Sequence, residues 1–533
     1  MKRWFAEWRR TDKLGLEIRR RWGRPGSDTA AFAARYFELS RGAGAETVSD
    51  KVWSDLELQR IFQRINTAIT PIGAQVLYRQ MREYVGEPAE LDARRHLYDW
   101  MREHPLQREH IQRLLWPLRD EHYATLARFI HADDEDSPRW AKWLPLSALA
   151  GLMLPVGVIG LGWPLWPWLV VIMLNIAATW RLWWSGAHHG ESVKSCLDLL
   201  TVAERLTHLD ATEDVEPLRR LREAAPARRR TRKLLREFLL TRLPGINYLI
   251  PLANALLALE PVLYLRVLRR MTVIRPCLAQ VYQLVGQLDA GIAIASFLAS
   301  QPWHCVPRMT ALDLRIQEGV HPLIEGCVPH SIELRQRSAL VIGSNMAGKT
   351  SFIKSLAVQV ILGQTLGICL ARQAEIPAVR VLTSIHVDHS VEAGISHFFS
   401  ELETIRQFME LASSGTAALL VMDEIFSGTN TLERIASARA VLERLAAGCM
   451  VLVTTHDVEL QSCLGIHYDL YHFQENIDVD GFFDYQLRRG AASQRNAIRL
   501  LGKLGYPADL VETAMAYAAA ADAGSPRPVA RDC

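Results

Sequence analysis

Between Leu144 and Trp180 the chain places 37 consecutive residues without one charged side chain. A single helix of that length would be about 55 Å long, too long for one crossing of a bilayer core roughly 30 Å thick. The stretch "GLGWPLWP" breaks the run with Gly160, Gly162, Pro164 and Pro167. The pattern therefore predicts two antiparallel helices, about 144–161 and 165–182, with Pro155 kinking the first. Each is just long enough to span a membrane. Arg139, Lys142 and Arg181 flank only the outer ends. The positive-inside rule then puts both outer ends in the cytoplasm and the Trp-Pro turn on the far side. Trp163, Trp166 and Trp168 would sit at the far interface, and Trp180, Trp183 and Trp184 at the near one. The competing reading is a hydrophobic hairpin buried in a soluble core. Helices of that kind usually keep some polar positions, and this pair has almost none. A second apolar stretch, "INYLIPLANALLALEPVLYL" (246–265), is interrupted by Pro251, Glu260 and Pro261 and reads as a buried helix pair of the soluble part.

Beyond residue 330 the pattern changes to short, wholly apolar runs of strand length: Ala339–Ile342, Ala418–Met422 and "CMVLVTTHD". Such runs are the mark of parallel strands buried on both faces. With 533 residues, the chain has room for three or four units at roughly 100–200 residues each. Its composition, 49% apolar and 22% charged, excludes a disordered protein. Net charge is only +3, so the arrangement of charge says more than its total. The first 24 residues carry nine Lys/Arg against three acids, with Trp4, Phe5, Trp8 and Trp22 interleaved. They contain no continuous apolar h-region and so are no secretory signal. They read as a basic arm, either solvated or lying on an anionic membrane surface. A second basic run, "PLRRLREAAPARRRTRKLLRE" (217–237), suits a solvated or headgroup-facing helix or a phosphate contact with DNA. The eight cysteines form no C-x-x-C pair and read as isolated thiols of a reducing compartment.

The chemistry is concentrated after the strands. "GSNMAGKTS" follows Ala339–Ile342 and precedes a helical pattern, the strand–loop–helix context of a P-loop. Gly343, Ser344, Asn345, Met346, Ala347, Gly348, Lys349, Thr350 and Ser351 would wrap ATP phosphates. Lys349 is suited to the β/γ-phosphates and Thr350 to Mg²⁺. "MDEIFSGTNT" puts Asp423 at a strand end, where it can hold Mg²⁺, and Glu424 beside it as the base for an attacking water. His456 ends the third strand and can hydrogen-bond toward the γ-phosphate. No "LSGGQ"-like signature of a transporter cassette precedes the second strand; "DHSVEAGISHFFSELETI" (388–405) stands there instead.

Taken together, "GSNMAGKTS", "GISHFFSE", "MDEIFSGTNT" and "TTHD" resemble the ATPase motifs of the MutS family of DNA mismatch-repair proteins, over about 290–520. "LRIQEGVHPLIE" (314–325) is similar to the entry of that domain, "RINTAITPIGAQVLYRQM" (64–81) to the start of the family's helical core, and "GQLDAGIAIASFLA" (286–299) to the helix joining core to ATPase. The core resemblance covers about 50–130 and 190–290. The resemblance implies a homodimer with composite sites, ATP and Mg²⁺ as cofactors, and DNA as a partner. It implies that Asn345 contacts nucleotide in its own subunit, while Ser396 reaches the partner's γ-phosphate and Glu401 supports that loop, both as trans-acting residues. "RNAIRLLGKLGYPADLVETAMAYA" (495–518) resembles the dimerisation helices, with Gly505 and Pro507 between them.

The departures matter as much. Ala347 stands where the family usually has Gly, and His397 where it usually has Thr. Only about 50 residues precede the core, where the family has its mismatch-reading and connector domains, and Phe5-Ala6-Glu7 has no domain around it. The uncharged hairpin occupies the place of the family's DNA-gripping levers. The expected fold is mixed: a C-terminal α/β P-loop ATPase of the ABC class after an all-α core that contains a transmembrane hairpin. The expected divisions are a basic arm (1–50), helical core (51–142), hairpin (143–184), second core part (185–300), ATPase with dimerisation helices (301–520) and a flexible tail (521–533). The expected protein is a multi-pass, cytoplasmic-membrane ATPase with its ATPase domain in the cytoplasm. It would bind DNA by family relationship without reading mismatches. The alternative is a membrane ATPase with a protein or lipid client.

Overall fold

The computed structural model describes residues 13–26, 32–42, 46–131, 143–184, 189–209, 215–239, 250–343, 347–385, 397–426, 428–475, 483–492 and 505–524, with 498, 501 and 503. The first half of the N-terminal arm, Ser344, Asn345, Met346, Ser396 and the end of the tail lie outside these residues. The chain divides into two compact units. The first comprises 1–47, 59–302 and 365–367, and the second 48–58, 303–364 and 368–533.

The first unit is helical. Its central element is the 29-residue helix Met271–Ala299, apolar enough to cross a membrane but almost wholly buried as the unit's core. The helix Pro71–Arg82 packs along it. Its start shows why "TPIG" opens a helix. Thr70 caps the end by accepting the Gly73 N–H at 3.0 Å, and Pro71 sits where no N–H is needed. Asp289, fully buried on the core helix, accepts the N–H of Ile69 (3.0 Å), the N–H of Thr70 (2.7 Å) and the Thr70 hydroxyl (2.6 Å). Burial pushes this carboxyl above the usual range, and the three donors pull it back. A Cβ at residue 73 would fall on the Asp289 side chain, which fixes glycine there. Two of the family-like stretches are thus locked together by one buried carboxylate.

The uncharged run forms helices Leu144–Leu161 and Trp166–Trp184. Gly162 ends the first in the left-handed region (φ 68°), the conformation glycine tolerates at a helix C-terminus. Most of their side chains face outward, including Val156, Ile159, Leu161, Met173 and Leu174. The 246–265 stretch corrects an expectation. Its described part forms helices Ile250–Leu257 and Leu259–Arg269, and these pack on the hairpin. They are not an interior pair of the soluble part, because Leu252 is exposed and Asn175 of the hairpin binds the carbonyls at the end of the first.

The basic run forms helices Glu216–Glu223 and Ala225–Leu239. Part of its charge is used internally. Arg228 is buried and donates to Ala203 O (2.9 Å), Arg222 donates to Leu209 O (3.0 Å), and Arg232 pairs with Glu204. Arg219, Arg220, Arg229, Arg230, Lys233 and Arg236 remain exposed.

The second unit holds two sheets. Strands β1 (Arg308–Thr310), β2 (Asp313–Gly319), β3 (His330–Arg335) and β5 (Gln373–Pro377) form a small one in the order β1-β5-β2-β3. The larger one runs β10-β9-β4-β8-β7-β6, from β4 (Ser338–Ile342), β6 (Arg380–Ser384), β7 (Ala418–Asp423), β8 (Met450–Thr455), β9 (Tyr468–Glu475) and β10 (Phe483–Arg489). All neighbours are parallel except β10 against β9. Every residue of β4, β7 and β8 is buried, as their unbroken apolar sequence predicts. The helix Asp50–Asp55 belongs to this unit, with Asp55 accepting the Thr383 hydroxyl at 2.7 Å.

Candidate nucleotide site

The parallel pairing sets Ile342 opposite Thr455 and Asp423 opposite Thr454. The segments that leave β4, β7 and β8 therefore emerge side by side at one sheet edge. This is where open α/β sheets bind ligands. Gly343 leaves β4 with φ 154°, and a Cβ there would come within 2.8 Å of Phe473 O. Gly348 has φ 94° and faces the Tyr485 ring, so neither position accepts a side chain without strain. Ala347, buried, is accommodated in place of the family's glycine. The helix Lys349–Leu366 follows, its N-terminal dipole directed at the loop.

Four predicted residues meet here. Lys349 is 1% exposed, and its Nζ donates to Gly343 O at 2.6 Å. The Thr350 hydroxyl donates to Asp423 Oδ2 at 2.7 Å. The other Asp423 oxygen accepts the Thr454 hydroxyl. A hydroxyl and a carboxylate at this spacing form the hard oxygen pair that suits Mg²⁺, so the residues fit the ion. Glu424 follows with φ 53°, and its N–H donates to Thr454 O at 3.2 Å. His456 Nδ1 lies 3.9 Å from Glu424 Oε1, near but beyond a hydrogen bond. Ser351 is exposed on the first helical turn.

Glu401 is expected to support the loop that carries Ser396, and residues 386–396 lie outside those described. It is 5% exposed, and Oε1 accepts the Phe426 N–H of its own chain at 2.6 Å. This bond holds the turn after β7, where Glu424 (φ 53°) and Phe426 (φ 58°) are both left-handed. Such a conformation costs about 1–3 kcal/mol per non-glycine residue and persists only when its surroundings hold it. Here Thr454 holds the Glu424 N–H and Glu401 holds the Phe426 N–H.

Several contributors were not singled out from sequence. Thr454 was visible only as a letter within "TTHD". Asp457, buried, takes a two-pronged bond from Arg434 (2.8 and 2.7 Å), which ties the helix Thr431–Ala446 to the residue after His456. The Asp457 carboxylate raises the Arg434 pKa. His330 Nε2 meets Tyr485 O at 2.8 Å, and burial keeps this imidazole below its ordinary range and so neutral at pH 7. No local pattern signals these pairings, which join distant positions. Removing the Asp457 carboxylate would leave Arg434, only 12% exposed, without its partner. Asp457→Ala should therefore cost about 3–5 kcal/mol, seen as a lower denaturation midpoint with an unchanged slope.

Comparison with known proteins agrees with this geometry. Residues 339–521 match the family model described as MutS domain V. The chain is 29% identical over 249 residues to the DNA mismatch repair protein MutS of Thermus thermophilus, covering 46% of this chain and 30% of that one. It is 30% identical over 242 residues to MutS of Natronomonas pharaonis, covering 43% and 28%. It is 31% identical over 251 residues to DNA mismatch repair protein MutS 2 of Halobacterium salinarum, covering 44% and 29%. The match thus spans less than a third of each of these relatives.

Proposed function

We propose, from the match of residues 339–521 to MutS domain V, that the chain is a MutS-family, Mg²⁺-dependent ATPase that works as a homodimer, is anchored in the cytoplasmic membrane by its hairpin, and binds DNA without reading mismatches itself. The observation that carries the reading is the Lys349–Thr350–Asp423–Thr454 constellation at the edge of the parallel sheet. Mg²⁺, when bound with ATP, offsets phosphate charge. Thr350 and Asp423 would hold it, and Lys349, now on the Gly343 carbonyl, would pair with the β/γ-phosphates. Glu424 accepts the proton of the attacking water. His456 donates toward the γ-phosphate. Glu401 and Thr454 keep Glu424 in its strained, productive backbone conformation.

Two features support the dimer. Ser396 belongs to the family-like Gly394-x-Ser396 element. The helix Ala508–Gly524, introduced by Gly505 at φ 83°, exposes Leu510, Met515 and Tyr517. Ser396→Ala and Lys349→Ala subunits should each be inactive alone. Mixed, they should recover part of the ATPase rate, because one composite site per heterodimer is intact. A fully active monomer would refute the shared site.

The second reading is a membrane ATPase with a protein or lipid client. The internal use of Arg222, Arg228 and Arg232 favours it, since it thins the patch available to DNA. Duplex binding by the detergent-solubilised protein decides between them. DNA binding would fall steeply with salt, by roughly 0.9 log unit per neutralised phosphate for each decade of salt.

A further inference from the structure

The residues directly before the helix Ile250–Leu257 lie outside those described. The end of this helix meets the hairpin at mid-height. Asn175 is the tenth of the 19 residues of Trp166–Trp184, and Gly151 the eighth of the 18 of Leu144–Leu161. A Cβ at Gly151 would fall on Leu256 O, so the two backbones touch. Asn175, the only amide in the uncharged run, is fully buried. Its Nδ2 donates to Ala255 O (3.2 Å) and Leu256 O (3.0 Å).

We propose that residues 250–257 are a third membrane element, a re-entrant half-helix docked on the hairpin and bathed in lipid on its outer side, with Asn175 as the group that permits it. The proposal rests on the reading of the hairpin as membrane-spanning. A helix that stops inside hydrocarbon presents unpaired carbonyls, and each needs a protein donor there. An amide NH₂ has two donors, and two carbonyls receive them. The chain turns at once: Ala258, fully buried, is left-handed (φ 43°), and its carbonyl accepts the Val262 N–H at 3.0 Å as the next helix begins. Ala258 packs with Leu144, Ala178 and Val262, which seals the turn among apolar side chains of the hairpin. Leu252 points away from all of this and is 57% exposed. On a water-facing surface it would be a lone solvated leucine. Against lipid it is an outward apolar side chain of the same kind as Val156, Met173 and Leu174 of the hairpin.

The test counts modifications by a membrane-impermeant polyethylene-glycol maleimide on the full chain in native membranes, relative to the parent protein. Leu252→Cys and Met173→Cys should each add no modification in membranes and one after dissolution in sodium dodecyl sulfate. Burial within the chain cannot shield either position, because both are exposed on it. Shielding of Met173→Cys with ready labelling of Leu252→Cys would overturn the half-helix and leave the hairpin standing. Labelling of both would overturn the membrane reading with it. Adding Asn175→Leu to Leu252→Cys should undock the element and speed its labelling at least tenfold while Met173→Cys stays shielded. An unchanged labelling rate would remove Asn175 from its role.

Discussion

Glu424→Gln should bind ATP as the wild-type protein does and hydrolyse it about 10²–10⁴ times more slowly, the range a positioned general base supplies. The replacement is nearly isosteric. It keeps the backbone bonds from Glu424 to Thr454 and leaves the left-handed turn intact, because Glu401 holds Phe426 independently. What it removes is the proton acceptor. Lys349→Ala should behave differently. Lys349 is buried with its ammonium on Gly343 O, so its loss takes away both the cation for the phosphates and the bond to Gly343. Binding and turnover should then fall together. Fluorescent-nucleotide titration and phosphate release, measured on the same preparations, separate the two. A Glu424→Gln protein that turns over at the wild-type rate would place the base elsewhere and leave His456, 3.9 Å away, as the nearest candidate. A further variant distinguishes positioning from chemistry. Glu401→Gln keeps an acceptor for the Phe426 N–H, whereas Glu401→Ala does not, so only the second should lower the rate with unchanged ATP affinity.

These residues show which parts of the site a linear reading can reach. The placement of Lys349, Thr350, Asp423 and Glu424 was legible because it depends on neighbours in sequence: a strand, a glycine, a helix start. The strands themselves were legible because β4, β7 and β8 are buried on both faces and so carry no polar interruption. Thr454 and Arg434 were not, because each acts across the sheet on a residue at least 20 positions away. Glu401 was found, but its bond to the Phe426 N–H was not. Whether a carboxylate at one end of a helix turns inward to a strained backbone or outward to a partner depends on the packing of Phe398 and Phe426, which no spacing encodes. The same limit applied to 246–265. Its apolar content announced burial or lipid, but only the Asn175 contact with Ala255 and Leu256 shows that its neighbours are the hairpin helices. In the helical unit, "TPIG" was legible as a helix start from Thr70 and Pro71 alone. The reason its glycine cannot be replaced lies over 200 residues away, at Asp289.

Leu174→Arg should block stable membrane insertion, while Leu161→Arg should be tolerated. Both leucines are exposed on the protein, at 59% and 71%, so neither substitution disturbs an interior. In water each would change stability by no more than about 0.5 kcal/mol. In a bilayer their depths differ. Leu174 is the ninth of the 19 residues of its helix, near the centre, where an arginine costs about 2.5–3.5 kcal/mol on insertion scales. Leu161 is the last residue of the first helix, beside Gly162 at the turn, where its charge can reach the far interface. The apolar surface itself motivates the test. Only 17% of the Leu144–Leu161 window is buried, and Val156, Ile159, Met173, Leu174 and Ile176 all face outward. Outward apolar side chains gathered on one element mark a contact with lipid or protein. The membrane-bound fraction after carbonate extraction measures the outcome. Wild type and Leu161→Arg should stay with the membrane, and Leu174→Arg should be lost from it. If all three are recovered in the soluble fraction without detergent, the outward leucines must be covered by protein. The hairpin would then be an assembly surface, and the ATPase would work free of the membrane.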